Sequence, residues 1–369
     1  MNKQSSVLIV AALTRTPFQC TFLPLIAKLT RLGFHQYRNR WAKRLGKRAG
    51  RLVFDAAYGL GLGGEGVAEL ATNDGPVRLR FDARKRHYAS LYLDHYGDGY
   101  EAEVALLLET FLKSDAVFYD IGCNWGYFAF YAAAKPGYTG AVHAFEPVAG
   151  TYADLTDWVA QSGLTRITCH QLALSDKAGS GVMILANEAT GLARLGSGEG
   201  GETVTLARLD DLDLPPPDVM KIDVEEHELQ VLQGAKTVLR QQKPMLIFEN
   251  WLAPGTPETT LAPLKFLQAE GYVLYQPLWR LAGGSLAWPA HAAARRRSCP
   301  GLGAVRRRGA LRLARSGQCL RLPPGPVGRI GRGFRGGLAR RFAGEDHIAG
   351  ERVRYLFEAR IGKAPANGA

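Results

Sequence analysis

Hydrophobic and polar positions follow two distinct periods along this chain, and the places where the period changes mark its elements. Val77, Leu79 and Phe81 alternate with Arg78 and Arg80, the two-residue period of a half-buried strand. Residues 100–112 carry a helical pattern. Val117 to Ile121 is a short continuous apolar run, rich in β-branched and aromatic residues, which reads as a buried strand. Gly122 and Gly126 follow it, and from Tyr127 onward the chain is apolar and Ala-rich, the signature of a buried helix. Further strands are expected at 140–146, 166–174, 218–224, 243–250 and 272–279, with shorter candidates at 181–186 and 202–207. Between them lie helical stretches. One has Leu155, Trp158 and Val159 on one face and ends at Gly163. A second places Leu229, Leu232, Ala235, Val238 and Leu239 together, and a third ends near Glu270. Strands alternating with helices predict an α/β protein with a parallel, doubly wound sheet.

Two segments depart from this rhythm, and they also hold the charge. The 369 residues are 46% hydrophobic, enough for a sizeable core, and carry a formal net charge of +12. Residues 291–343 contain fourteen Arg and no Lys, Asp or Glu, so taking fourteen positive charges from +12 leaves −2 for everything else. Lys28 to Arg51 holds nine further Lys and Arg without an acid. The basic character therefore belongs to two segments rather than to the fold, and does not point to nucleic acid as the main partner. The first block follows "TFLPLIAKLTRLGF" (21–34), which reads either as a solvated helical arm or as an amphipathic helix attaching weakly to an anionic membrane surface through 28–51. The Arg-rich segment reads either as a disordered basic tail or as the product of a reading-frame shift near Pro289, because Arg without Lys is the codon signature of GC-rich DNA. The expected organisation is an N-terminal extension over 1–74, the α/β domain over 75–285 and an Arg/Gly/Pro-rich tail over 286–369.

Five scattered cysteines, Cys20, Cys123, Cys169, Cys299 and Cys319, form no C-x-x-C pair, which fits a reducing compartment and a cytoplasmic protein. The apolar run 6–13 is followed by Thr14-Arg15-Thr16-Pro17 rather than a small-residue cleavage site, and reads as an element of the extension.

Parallel α/β sheets bind ligands beyond the carboxyl ends of their strands. The residues there are Asp120 with its glycine turn, Glu146 on the next strand, and Leu174 and Asp176 after the third. An acid at the position of Glu146 suits the two hydroxyls of a ribose, while Leu174 and Asp176 suit the face and amino edge of an adenine. A literal G-x-G-x-x-G occurs at Gly61, Gly63 and Gly66, but a turn at 73–76 follows too soon for the helix that a pyrophosphate requires. Asp223, Glu225 and His227 do not make a convincing metal set, and no metal is expected. His143 and His170 lie in apolar strands and read as structural, His227 as exposed on its helix.

Taken in order, "VFYDIGCNWGYF", "AFEP", "LALSD", "LDDL", "KIDVEEHELQVLQGA" and "PMLIFEN" resemble the FkbM family of S-adenosylmethionine-dependent methyltransferases, over about residues 75–280. The resemblance implies a class I (Rossmann-like) methyltransferase fold with a mostly parallel seven-stranded sheet. It also implies S-adenosyl-L-methionine as cofactor, and methylation of a hydroxyl on a glycan, sugar or natural product. Asp120, Gly122, Asn124 and Gly126 would then hold the methionine and sugar parts of the cofactor, Glu146 its ribose, and Asp176 would approach its adenine. The family usually carries Gly after "KIDVE", where this chain has Glu226, and a small Ala where it has Cys123.

A hydroxyl acceptor must lose its proton, and the candidate catalytic carboxylates end the fourth and fifth strands: Asp223, Glu225 and Glu249. Asp223 is the first choice as base, and Glu225, at a helix N-terminus, the better substrate anchor. Two other classes stand beside this reading. One is an NAD-dependent oxidoreductase, the other a non-catalytic nucleic-acid or membrane-surface binding protein using the Arg-rich tail.

Overall fold

The computed structural model describes residues 8–10, 15–24, isolated positions between 52 and 60, 64–92, 100–184, 194–196, 201–252, 257–280, 286–287, 311–315 and 351–359. The basic block and the amphipathic stretch before it fall almost wholly outside these residues.

Among the described residues seventeen strands form three sheets. The large one contains β1 (Leu8–Val10), β5 (Phe118–Ile121), β6 (Val142–Phe145), β7 (Ile167–His170), β12 (Val219–Ile222), β13 (Met245–Leu252), β14 (Tyr272–Arg280), β15 (Leu286–Ala287), β16 (Leu311–Arg315) and β17 (Glu351–Ala359). Its order is β1-β16-β14-β17-β13-β12-β5-β6-β7, with β15 on β14. The five strands from β13 to β7 are mutually parallel. β17 runs antiparallel to both β13 and β14. The sheet thus has ten strands where seven were expected, the additional ones being β1, β15 and β16 beyond or beside β14. β16 and β17 come from within the segment 286–369 that composition sets apart.

A second sheet, β2 (Phe18–Phe22), β3 (Glu65–Thr72) and β4 (Gly75–Asp82), is a hairpin with one added strand. The boundary expected at 74/75 falls in the turn of that hairpin. Gly66 lies within β3, and the chain turns back at once into β4, so the nearby glycine triplet opens no helix. The third sheet has the order β10-β9-β11-β8, from β8 (Ala173–Leu174), β9 (Gly179–Ile184), β10 (Arg194–Gly196) and β11 (Glu202–Ala207). The single strand expected over 166–174 is therefore two. After His170 the chain leaves β6 and pairs Ala173 and Leu174 with β11 instead.

Helices cover both faces of the large sheet. They are α1 (Ala102–Phe111), α2 (Tyr127–Ala133), α3 (Ala149–Ser162), α4 (Glu228–Gly234), α5 (Lys236–Gln241) and α6 (Pro257–Ala269). The strand alternation sorts the core into two layers. Phe118, Val142, Val219 and Ile247 face α1, α2 and α3, while Tyr119, Ile121, Met220, Ile222, Leu246 and Phe248 face α4 to α6. Every residue of α2 is buried, as an all-apolar helix must be. Gly163 ends α3 at φ 66°, the left-handed position that caps a helix without cost to glycine. The helix expected through residue 242 breaks at Ala235, where Asp210 accepts the N–H groups of Thr237 and Val238 at 2.9–3.0 Å and starts α5 as a separate element. Among the described residues no helix is long and apolar enough to cross a membrane, and Cys20, Cys123 and Cys169 are free thiols.

Candidate active site

The carboxyl ends of β5, β6 and β12 meet above the parallel core. The chain leaves β5 through Gly122 at φ 73°, Asn124 at φ 54° and Gly126 at φ 93°. A Cβ on Gly122 would lie 1.9 Å from the carbonyl oxygen of Asp223, and one on Gly126 would lie 2.5 Å from Leu155 Cδ1. These glycines therefore serve contacts with the chain's own β12 and α3, in addition to their positive φ. Asn124 suits its left-handed position because its Oδ1 accepts the Trp125 N–H at 2.8 Å. The N–H groups of Gly122 and Cys123 both donate to the Phe145 carbonyl at 3.1 Å, which ties this turn to the end of β6.

Glu146, the next residue after β6, is 7% exposed. Its Oε1 accepts the Val148 N–H at 2.9 Å, and the Asn124 N–H also reaches its carboxylate. Burial raises its pKa to about 7 against these two hydrogen bonds, with Glu202 and Asp120 adding repulsion. A carboxylate has about four acceptor sites, so two backbone donors leave capacity for two more.

Below the glycine turn lies a buried charge cluster. Register places Asp120 beside Lys221 across β5 and β12. Lys221 Nζ sits 3.6 Å from Asp120 Oδ1 and 3.3 Å from Asp223 Oδ2, over the Phe128 ring at 5.4 Å. Asp120 is fully enclosed, with the Ala129 N–H and the Lys221 ammonium as the groups that favour its charge. Burial raises its pKa, with Lys221 opposing and Asp223 adding to the rise. Burial works against the Lys221 charge, yet Asp223, Asp120, Glu101 and Glu249 together outweigh it and hold the ammonium above its ordinary pKa. Asp120 thus answers Lys221 from within the core, whereas Asp223, with 17% side-chain exposure, is the member of the cluster that reaches the surface of the crevice. Glu249, expected to end its strand, lies within β13, which runs on to Leu252; it is buried and acts on the same Lys221.

Glu225 does not stand at a helix N-terminus. The turn after β12 takes two residues in the left-handed region, Glu225 at φ 48° and Glu226 at φ 73°, and α4 begins only at Glu228 with His227 as its N-cap residue. The first-turn acid is Glu228, buried and raised to about pKa 7 by that burial, whose Oε1 accepts the Glu226 N–H at 3.2 Å. His227, expected to be exposed, is half-buried, and its Nε2 lies 2.9 Å from Ser175 Oγ. Ser175 also donates to Asp176 Oδ1 at 3.1 Å, joining the loop after β8 to the start of α4. Asp176 is exposed and lines an open groove of about 610 Å³ with Lys177, Arg208, Gln233, Lys236 and Phe266. Leu174 is buried with Phe145, Ile222 and Val231 in the layer of α4 to α6. Among the described residues no group of three His, Cys, Asp or Glu side chains could hold a metal ion.

Two residues with evident roles carry no motif of their own. Lys221 reads from sequence only as a possible partner for an acid. Glu101 acts on Lys221 from the start of α1, a contact that sequence spacing gives no reason to expect.

A glycine turn and a buried carboxylate at the next strand end, beyond the carboxyl ends of a parallel sheet, stand where α/β proteins bind their ligands. Residues 115–274 match the methyltransferase FkbM domain. A hexuronic acid methyltransferase, AglP of Haloferax volcanii, is 33% identical over 150 residues, which are 38% of this chain and 59% of that protein. The chain thus matches little more than half the length of this relative. Among solved structures, methyltransferase FkbM from Methylobacillus flagellatus is similar at 13% identity and a TM-score of 0.33, covering 78% of this chain and 76% of its own. An O-methyltransferase described as such from Klebsiella pneumoniae is similar at 14% identity and a TM-score of 0.34, covering 63% of this chain and 86% of its own. Both structural likenesses are remote.

Proposed function

We propose that this protein transfers a methyl group from S-adenosyl-L-methionine to a hydroxyl of a sugar or glycan. The observation that carries the reading is Glu146: a buried carboxylate at the end of β6 with two backbone donors and acceptor capacity to spare, where the family places the ribose-binding acid. The strand order supports it. From β7 through β6, β5, β12, β13 and β17 to β14, the sheet has a parallel core with the single strand β17 reversed between β13 and β14, an order that suits a class I methyltransferase.

The cofactor supplies an electrophilic methyl on a sulfonium. Glu146 holds the ribose hydroxyls, and the turn of Gly122, Asn124 and Gly126 bounds the methionine end, with Asp120 contributing charge from beneath rather than direct contact. Asp176 stands at the mouth of the adenine side. Asp223 takes the proton of the acceptor hydroxyl, since it is the partly exposed carboxylate at the end of β12, and Lys221 fixes its position. Glu249 and Glu225 flank it as further acids of the crevice. Holding acceptor and methyl at near-attack distance supplies much of the acceleration. The acceptor class follows the printed activity of the archaeal relative, a hexuronic acid methyltransferase.

Calorimetric titration of S-adenosylmethionine into the intact protein tests the reading, with Glu146→Ala as the control. Binding that this substitution weakens at least tenfold supports it. A folded protein that binds no S-adenosylmethionine overturns it.

A further inference from the structure

The family's usual glycine after "KIDVE" is Glu226 here, and the structure shows what this side chain meets. Its backbone keeps the left-handed conformation a glycine would take, φ 73°, in the turn that follows β12, and its side chain is exposed. Arg194, on β10, points Nη1 to Glu226 Oε2 at 3.4 Å. β10 belongs to the small sheet β10-β9-β11-β8, which the chain inserts between the third and fourth parallel strands. That sheet is anchored beside the site. Ala173 and Leu174 pair with Leu206 and Ala207, and Glu202 Oε1 accepts the Ala149 N–H at the start of α3 at 2.7 Å.

We infer that Arg194 is the anchor for a carboxylate on the methyl acceptor, a uronic acid residue, and that Glu226 occupies this anchor until the acceptor displaces it. The inference rests on the methyltransferase reading above and specifies its substrate. Three observations carry it. The pair is exposed, with 57% of the Arg194 side chain and 61% of the Glu226 side chain accessible, so it contributes little stability and exchanges readily. Glu226 is the one ion-pair partner of Arg194 among the described residues, and a single contact at 3.4 Å leaves the other edge of the guanidinium fork free for a planar, bidentate carboxylate. Finally, acids gather around the end of β12 as a floor: Asp223 and Glu225 in the turn, Glu228 as the first residue of α4, and Glu249 within β13. An acceptor with one anionic group is repelled from that floor and held at the rim by Arg194, which turns its hydroxyls, not its charge, toward Asp223.

Binding of methyl glucuronoside and methyl glucoside to the intact protein, followed by saturation-transfer NMR and calorimetry, tests this without turnover. The native protein is expected to prefer the glucuronoside. Arg194→Gln should weaken the glucuronoside about tenfold and leave the glucoside unchanged. Glu226→Gly should strengthen the glucuronoside severalfold, because it removes the competing carboxylate. Equal binding of the two sugars by native protein, or equal loss of both in Arg194→Gln, overturns the assignment. S-adenosylmethionine titrated into the same samples separates the two levels: retained cofactor binding with no sugar preference rejects the Arg194 anchor alone, and absent cofactor binding rejects the methyltransferase reading itself.

Discussion

Gly122 lies directly against the backbone of Asp223: a single added Cβ would sit 1.9 Å from the Asp223 carbonyl oxygen. The glycine turn after β5 and the strand end that carries the proposed base are therefore in backbone contact, and the distance between them is fixed by the absence of one carbon.

Gly122→Ala should consequently destabilise the protein by about 3 kcal/mol or more, because a positive φ and a collision with rigid backbone act together. Gly163→Ala is the matched control, having φ 66° but open space around it. Its cost should be about 1 kcal/mol, the left-handed penalty alone. Urea unfolding of the two variants measures the difference, and similar losses would contradict a steric role for Gly122.

Lys221→Met leaves Asp120 and Asp223 side by side without their countercharge, and should cost about 3–5 kcal/mol. Adding Asp120→Asn to it should restore part of that stability, since one of the two orphaned charges is then gone. The double-mutant cycle, read by denaturant unfolding, distinguishes this coupling from a loss of packing over Phe128, which the second substitution would not repair.

Glu146 sets stability against binding. Its folded-state pKa, about 7, lies above the ordinary 4.5, so the folded state holds more protons than the unfolded state between these values. The stabilising contribution of the neutral acid is present below pH 4.5 and is lost as pH rises toward 7. Glu146→Gln, neutral throughout, should raise the melting temperature of the ligand-free protein at pH 8 and have little effect at pH 5. S-adenosylmethionine affinity should fall in the same variant. A melting temperature lowered equally at both pH values would contradict the account.

Glu226 holds a glycine's backbone conformation with a side chain attached. Glu226→Gly should therefore stabilise the fold by about 0.5–1 kcal/mol, the left-handed cost less the greater chain entropy of glycine. Glu226→Val should do the opposite, because a β-branched residue tolerates that conformation poorly. Thermal melts of the two variants should bracket the native protein.

The parallel core was legible in the sequence because each strand is short, apolar and closed by a glycine, a proline or an acid, as at Asp120 and Glu146. The pairing of β8 was not, since no glycine or proline separates His170 from Ala173 and only the register with Leu206 and Ala207 shows the change of sheet. The start of α4 was misplaced by three residues for a similar reason. Glu225 and Glu226 look like first-turn acids, and nothing local reveals that both take positive φ. Strand-end carboxylates stand out in a sequence, but which of them faces a ligand and which is enclosed depends on Lys221, whose partners are set by strand register. Composition set residues 286–369 apart, yet β16 and β17 enter the main sheet from that segment, their pairing being decided by open strand edges that no local pattern records.

β17 lies between β13 and β14, although both precede it by more than seventy residues. During synthesis those two strands emerge early and must wait side by side, each with one unpaired edge, until residues 351–359 arrive to join them. Such waiting edges attract other chains. The danger to this protein in the cell is greatest in the interval before β17 leaves the ribosome, when the parallel half of the sheet is already built and the far half is still open.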